Sequence, residues 1–469
     1  MDHKSQKGQL AVTVVFFAAL AVVFVTGLIF LASSFLQSSV RSLNKLRAFS
    51  IAESGIEYYR WHLAHAPQDF EDGTGHAGPY VHNYYDESGN LIGTFTLTIT
   101  PPPAGSTVVI IQSTGNIMAD ASVVKTIKVE MAIPSFAQYA WVLNSFVQFG
   151  AAAQVYGTIQ SNAGIHFDGV AHNLVESALT TTTDPDTGYT QWGVFTDGPP
   201  ADPRPPTALL TNQSIFLAGR SISVPAVDFT ALTENLSSIK ATAQASGTYF
   251  ASSTVLGYDL ALATSGLYSV YKVTALVATP GGCNNTGATG WGTWSVKTES
   301  LAATGTIPQN GNMFFEDNLW VRGQINNKRV TIASGRFPDN VATRSSITVD
   351  NSLAYTNFNG SDTLALIAQN NINIGLVSDN ALTIDGALVA VNGATQRYSY
   401  SGCGSNASRA SLTTDGMLAS NLQSGFYYST TDGYQTRSYN YDSNLLYGPP
   451  PSFPLSTNQY SIISWDEIQ

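Results

Sequence analysis

A mainly β protein with one long N-terminal helix is what this 469-residue chain predicts. The helix should lead into a small antiparallel sheet and then an irregular parallel β-solenoid-like body, with a β-sandwich as the alternative for that body. Three observations carry the prediction. Gly8 to Ala32 (GQLAVTVVFFAALAVVFVTGLIFLA) holds no charge, Leu91 to Ile133 contains three strand-like runs, and from Phe146 short Val- and Ile-rich runs are broken by Gly, Asn and Asp.

Leu10 to Ala32 as a helix would be about 34 Å long, enough to cross a hydrocarbon core. Leu10, Phe16, Phe17, Leu20, Phe24, Leu28 and Phe30 give it an apolar surface for the lipid bilayer or for like helices. Lys4 and Lys7 precede the run, which favours a cytoplasmic N-terminus and an exported remainder. Ser33 to Leu63 has no Pro, and Phe35, Val40, Leu43, Leu46, Phe49, Ile56, Tyr59 and Leu63 recur at helical steps. One helix over 9–65 is therefore expected, its second half docking by that stripe on a globular head.

The basic leader ending in Gly8, the apolar helix and RAFSIAESGIEYY (Arg47 to Tyr59) resemble the N-terminus of type IV pilin-like proteins, in particular PilX-type minor pilins and pseudopilins. Arg47, Phe49, Ala52, Glu53, Gly55 and Glu57 carry the motif. The resemblance covers about the first 65 residues and implies a leader over 1–8, cut between Gly8 and Gln9 by a prepilin peptidase. It also implies a single-pass helix in the cell membrane before assembly, then a place at the cell surface or in a pilus among other pilin-like subunits. Thr13 stands where most major pilins have a Glu as fifth mature residue, which argues for a minor subunit. A plain signal anchor tethering a surface protein is the other reading of the helix.

Only 11% of residues are charged, against a usual quarter, and the net charge is −11. Such a balance offers nucleic acid nothing basic to bind and suits an exposed β protein with uncharged polar faces. Residues 66–134 should form the pilin-like antiparallel head. Ala66 to Gly89 reads as loop and places His62, His65, His76 and His82 close in sequence. Without supporting carboxylate spacing they are expected to cover the helix end and to bind no metal. The head strands are Leu91 to Thr100, Thr107 to Gly115 and Ser122 to Ile133.

The surface body is expected over 135–469, with an excursion from the stack at about 177–310 that holds a helix begun near Asp228 or Thr230. Short strands separated by Asn, Asp and Gly suit the corners of stacked parallel coils. The tail from Gly425 is aromatic and Pro-rich and should run extended over the body, anchored by Trp465. Gly311 to the end also resembles large bacterial surface proteins that join a pilin-type N-terminus to a β-helix-like body of unassigned function. Cys283 and Cys403 lie in Gly/Asn-rich loops; an exported chain could join them, and free thiols are the other reading.

Parallel solenoids also host polysaccharide-cleaving enzymes, for which Asp317, Arg322, Lys328, Arg329, Asp350, Asp379 and Asp385 are the candidates. Asp317, Asp350 and Asp379 precede Asn, and Asp385 precedes Gly, which a corner requires with or without chemistry. No EF-hand, GxSxG, HExxH, Walker or Rossmann pattern is well placed. The expectation is a non-enzymatic surface protein without cofactors, presenting a face for adhesion or assembly to surface glycans or to host or partner cells. A signal-anchored carbohydrate-active enzyme or sugar-binding module is the alternative.

Overall fold

The computed structural model describes residues 5–103 and 105–468; residues 1–4 of the expected leader lie outside the described residues. Helix α1 (Ser5–His65) runs unbroken, as a stretch without Pro allows. Two compact units follow from the contacts: one comprises residues up to Pro102, Val108–Ala132 and Asn458 onward, the other Pro103–Thr107 and Ile133–Thr457.

In the first unit, strands β1 (Tyr80–Tyr85), β2 (Leu91–Thr100), β3 (Val109–Ile117) and β4 (Val124–Ala132) form an antiparallel meander. Alternation sends Phe95 and Leu97 of β2, Val109 and Ile111 of β3, and Ile127, Val129 and Met131 of β4 into one core with α1. The tail from Gly425 stays with the body as far as Thr457, but its end does not. Its last strand, Ser461–Ile468, pairs antiparallel with β4, from Ser461 opposite Ala132 to Ile468 opposite Thr126. This covers an edge that β4 would otherwise leave unpaired, and Trp465 meets Phe49 edge-on at 5.8 Å.

The second unit is thus inserted in the chain between two neighbouring strands of that sheet. Its longest ladder is parallel throughout, which overturns the sandwich alternative, whose sheets are antiparallel. In ladder order the strands are Arg220–Ile222, Val175–Ser177, Ile159–Ser161, Trp141–Leu143, then Ser408–Ser420, Ala381–Ala390, Thr363–Ala368, Arg329–Ser334, Asn312–Phe315 and Thr248–Phe250. The chain therefore enters mid-stack at Trp141 and climbs to one end at Ile222. It then crosses to the opposite end at Thr248 and winds back until Ser408–Ser420 lies beside Trp141–Leu143.

Helix α2 (Thr230–Ser246) makes most of that crossing. Its 17 residues span about 25 Å, a little over half of the roughly 43 Å of nine strand spacings between the two ends. Leu232, Leu236, Ile239 and Ala243 bury against an outward column of Phe314, Ala333, Ile367, Val389, Ala419 and Val142, which succeed one another in register. The inward column of the same ladder is Met313, Ile332, Leu366, Leu388, Leu418, Trp141, Ile159 and Val175.

The segment 177–310, expected as an excursion, returns to the stack at several short strands. Arg220–Ile222 and Thr248–Phe250 are rungs of the long ladder, and Gly257–Leu262 pairs parallel with Leu319–Ile325. Three-residue strands such as RSI and TYF are too short to show a period. Asparagines between strands stack on one another: Asn162 Nδ2 donates to Asn144 Oδ1 and Asn144 Nδ2 to Asn421 Oδ1, both at 2.8 Å. Cys283 and Cys403 are joined in a disulfide that closes a sequence separation of 120.

Candidate assembly helix and seam cleft

Helix α1 has two halves of different character. Up to Leu46 its apolar side chains stand clear of the rest of the chain: Phe16, Phe17, Phe24 and Leu28 are exposed, Leu20 somewhat less so, and Phe30 is 80% exposed. The helix is long and apolar enough to cross a membrane. Gly8 and Gln9 fall in its first turns. From Ala48 onward the helix packs on the sheet through Ala48, Ile51, Ala52, Gly55, Ile56, Tyr59 and Leu63.

The docking stripe thus differs from the expected one. Phe35, Val40, Leu43 and Leu46 remain exposed, because the sheet core begins only at the level of Ala48. Small residues, which a search for large apolar side chains passes over, set the approach. A Cβ at Gly55 would lie 2.8 Å from the Phe95 ring and strike Ser113 Oγ, while one at Gly115 would strike the backbone of Ala48 and Ala52. Of the other motif residues, Arg47, Glu53 and Glu57 face outward, with Glu57 paired to Arg60 at 2.9 Å.

The histidines near the helix end do not converge. His62 reaches Asp69 Oδ2 at 3.1 Å, His82 reaches Asp72 Oδ2 at 2.7 Å, His65 contacts the Trp61 carbonyl, and the His76 ring lies tilted 6.2 Å from that of Tyr80. His82 also stacks on Phe95 at 5.0 Å, so the ring acts as packing at the edge of the core.

Most of the solenoid candidates are occupied in holding corners. Asp317 accepts from Ser253 N at 2.8 Å and pairs with Arg336, Asp379 accepts from Ser352 N at 2.8 Å, and Asp385 accepts from Tyr355 N at 2.8 Å. Arg329 donates to the carbonyls of Gly105, Gly448 and Pro449 at 2.6 to 2.7 Å, and Lys328 is half-buried. Arg322 and Asp350 share a cavity, a groove of about 270 Å³ that Asp259 and Glu299 also line. There Arg322 bridges Asp259 at 3.0 Å and Glu299 at 2.9 Å, while Asp350 Oδ1 accepts from Gly375 N at 2.7 Å. Burial pushes both Asp259 and Asp350 up to about 7, Glu299 adding to the rise at Asp259.

A larger cavity, about 540 Å³, opens where the two parts of the solenoid meet. Two ladders cross this seam: Ser408–Ser420 pairs with Trp141–Leu143, and Asp432–Tyr441 with Ala153–Tyr156. The third face does not. Its strands Leu319–Ile325, Ile347–Thr348, Ile372–Ile374 and Thr395–Arg397 form one run, and Val147–Phe149, Ile165–Phe167 and Val194–Phe195 another. In the gap lie Gln148, Phe149, Trp141, Gln396, Tyr427 and Arg437. Arg437 sits over the Tyr427 ring at 4.5 Å, and the buried Ser424 Oγ of the same cleft has no hydrogen-bond partner. Sequence reasoning missed this cleft, because its lining comes from segments far apart whose adjacency depends on the non-sequential ladder.

The sequence matches no family model and no curated protein. A solved structure similar in extent is that of the competence-associated pilin ComZ from Thermus thermophilus, 11% identical over 91% of this chain and 97% of that chain. Its TM-score of 0.32 is too low to carry an assignment.

Proposed function

We propose that this chain is a pilin-like surface subunit, of the minor pilin or pseudopilin kind, without enzymatic activity. The reading is supported by one observation above all: a single helix whose second half is sealed on an antiparallel sheet while its first half leaves apolar residues from Leu10 to Leu46 exposed. Burying that surface against like helices after leaving lipid provides the drive for assembly, at roughly 25 cal/mol per Å² of apolar area. Cleavage after Gly8 by a prepilin peptidase would release the helix for that transfer.

A Gly8→Ala change should leave uncut precursor in the membrane and none in sheared surface material, read by intact mass and N-terminal sequencing. An intact Met1 in sheared filaments from the unaltered protein would sink the proposal and favour the signal anchor.

Adhesion is assigned to the seam cleft. Its volume lies in the usual range for ligand sites, and its mixture of aromatic rings and amides suits stacking and neutral hydrogen bonding to a glycan. Tyr427→Ala should weaken binding of the full chain to soluble polysaccharide about tenfold, equivalent to about 1.4 kcal/mol. Equal binding by the variant would place the contact elsewhere. Turnover of that polysaccharide, lost in Asp350→Asn, would instead favour the enzyme reading and its acidic groove.

A further inference from the structure

We propose that His166, Asp184 and Asp186 form a binding site for a divalent cation of the zinc class, clipping a hairpin onto the solenoid. The site does not depend on how the N-terminal helix is used. His166 lies on Ile165–Phe167, in parallel register with Phe195, and its imidazole stacks on the Phe195 ring at 4.5 Å. The hairpin of Thr181–Thr183 and Thr190–Trp192 carries Asp184 and Asp186 in its turn. One ring nitrogen of His166 and one carboxylate oxygen from each aspartate all lie within 4.8 Å of one another.

Clustered carboxylates alone would mean little; the imidazole is what points to a ligand. Its side chain is only 6% exposed; Nε2 has an ion-pair contact with Asp168, and Nδ1 has no hydrogen-bond partner among the described residues. Burying such a group unsatisfied is costly, and buried polar groups as a rule have partners. Nε2 lies 3.1 Å from Asp168 Oδ2 and 3.5 Å from Asp197 Oδ2, close enough for an ion pair but out of line for a hydrogen bond. Donor atoms bound at about 2.0–2.2 Å to one ion stand roughly 3–3.5 Å apart, so the three donors, already within 4.8 Å of one another, need only a small inward shift to share a cation.

The aspartates are themselves held in place. Asp184 accepts from Asp186 N at 3.0 Å and Thr187 Oγ1 at 2.6 Å, and Asp168 accepts from Thr196 Oγ1 and Asp197 N, both at 2.9 Å. Such outer hydrogen bonds orient carboxylates toward an ion. One imidazole with carboxylates and no thiolate favours zinc or a similar first-row ion over calcium, which prefers an all-oxygen shell. Asp186 is exposed, giving the ion a way in and room for water ligands.

The test uses the full chain in detergent, stripped with chelator and titrated calorimetrically with Zn²⁺, with Ca²⁺ and Mg²⁺ in parallel. One Zn²⁺ per chain should bind at micromolar concentration or below, raise the unfolding midpoint, and bind at least about tenfold more weakly in His166→Gln and Asp186→Asn. Because Asp186 is exposed, Asp186→Asn should fold normally and decides the matter if His166→Gln does not. Unchanged zinc affinity in folded Asp186→Asn, no binding at millimolar Zn²⁺, or binding of Ca²⁺ as tight as Zn²⁺ would each overturn the proposal.

Discussion

Replacing Cys283 and Cys403 together by Ser is expected to destabilise the body by about 3–5 kcal/mol, measured by denaturant unfolding of the full chain in detergent. The figure follows from the closed loop, a sequence separation of 120, whose freedom in the unfolded chain the bond restricts. The native-state part of the effect is local. Cys283 sits in the long loop between Leu267–Leu276 and Val296–Thr306, which lies against Tyr398, Tyr400 and Leu376 through Trp291 and Trp294. Trp291 Nε1 donates to Ser399 O at 3.1 Å and Asn284 N to Ser401 O at 2.8 Å, so the bond fixes a loop that is already docked. A double variant unfolding at the wild-type midpoint would show that these contacts suffice by themselves.

Stability should fall as pH rises from about 4 to about 7, and Asp385→Asn should remove part of that fall. Burial pushes the Asp385 carboxyl up to about 7, against the Tyr355 N–H it accepts from, and Asp415 and Asp442 push it further in the same direction. Asp415 stands opposite Asp385 in the parallel register, and burial raises it as well. The unfolded chain releases this proton near pH 4, so between the two values the folded state binds more protons. The associated stability is complete below about pH 4 and is lost as pH passes about 7. For a single site shifted by about three units the linkage amounts to at most about 4 kcal/mol. The carboxamide oxygen introduced by Asp385→Asn can still accept from Tyr355 N–H. The variant should therefore match the wild type near pH 4 and exceed it at pH 8, in unfolding midpoints measured across that range. A variant weakened equally at both ends would refute the protonated carboxyl.

The N-terminal helix was the most legible feature, because an uncharged apolar run without Pro admits few other structures. The use of its second half was less so. Ile51 was absent from the anticipated stripe, and the close approach depends on Ala48, Ala52 and Gly55, whose lack of bulk carries no hydrophobic signal. Corner roles for Asp317, Asp379 and Asp385 were readable from the Asn or Gly that follows each, since turn chemistry is local. Partners were not readable. Nothing in RSI or TYF says which strand lies beside it, and nothing in YSIISWDEI says that it returns to β4. His166 and the Asp184–Asp186 turn failed for the same reason: each segment reads as an ordinary strand or turn, and only the pairing of Ile165–Phe167 with Val194–Phe195 brings them near.

The mid-stack entry of the chain has a consequence for folding. Synthesis from the N-terminus makes Trp141–Leu143 and Ala153–Tyr156 long before Ser408–Ser420 and Asp432–Tyr441, the strands that will lie against them. During that interval the early half has a bare sheet edge, the kind of surface that invites wrong partners. Its neighbour is among the last parts of the body to be made, so the stack is joined at its middle only when the chain is nearly complete.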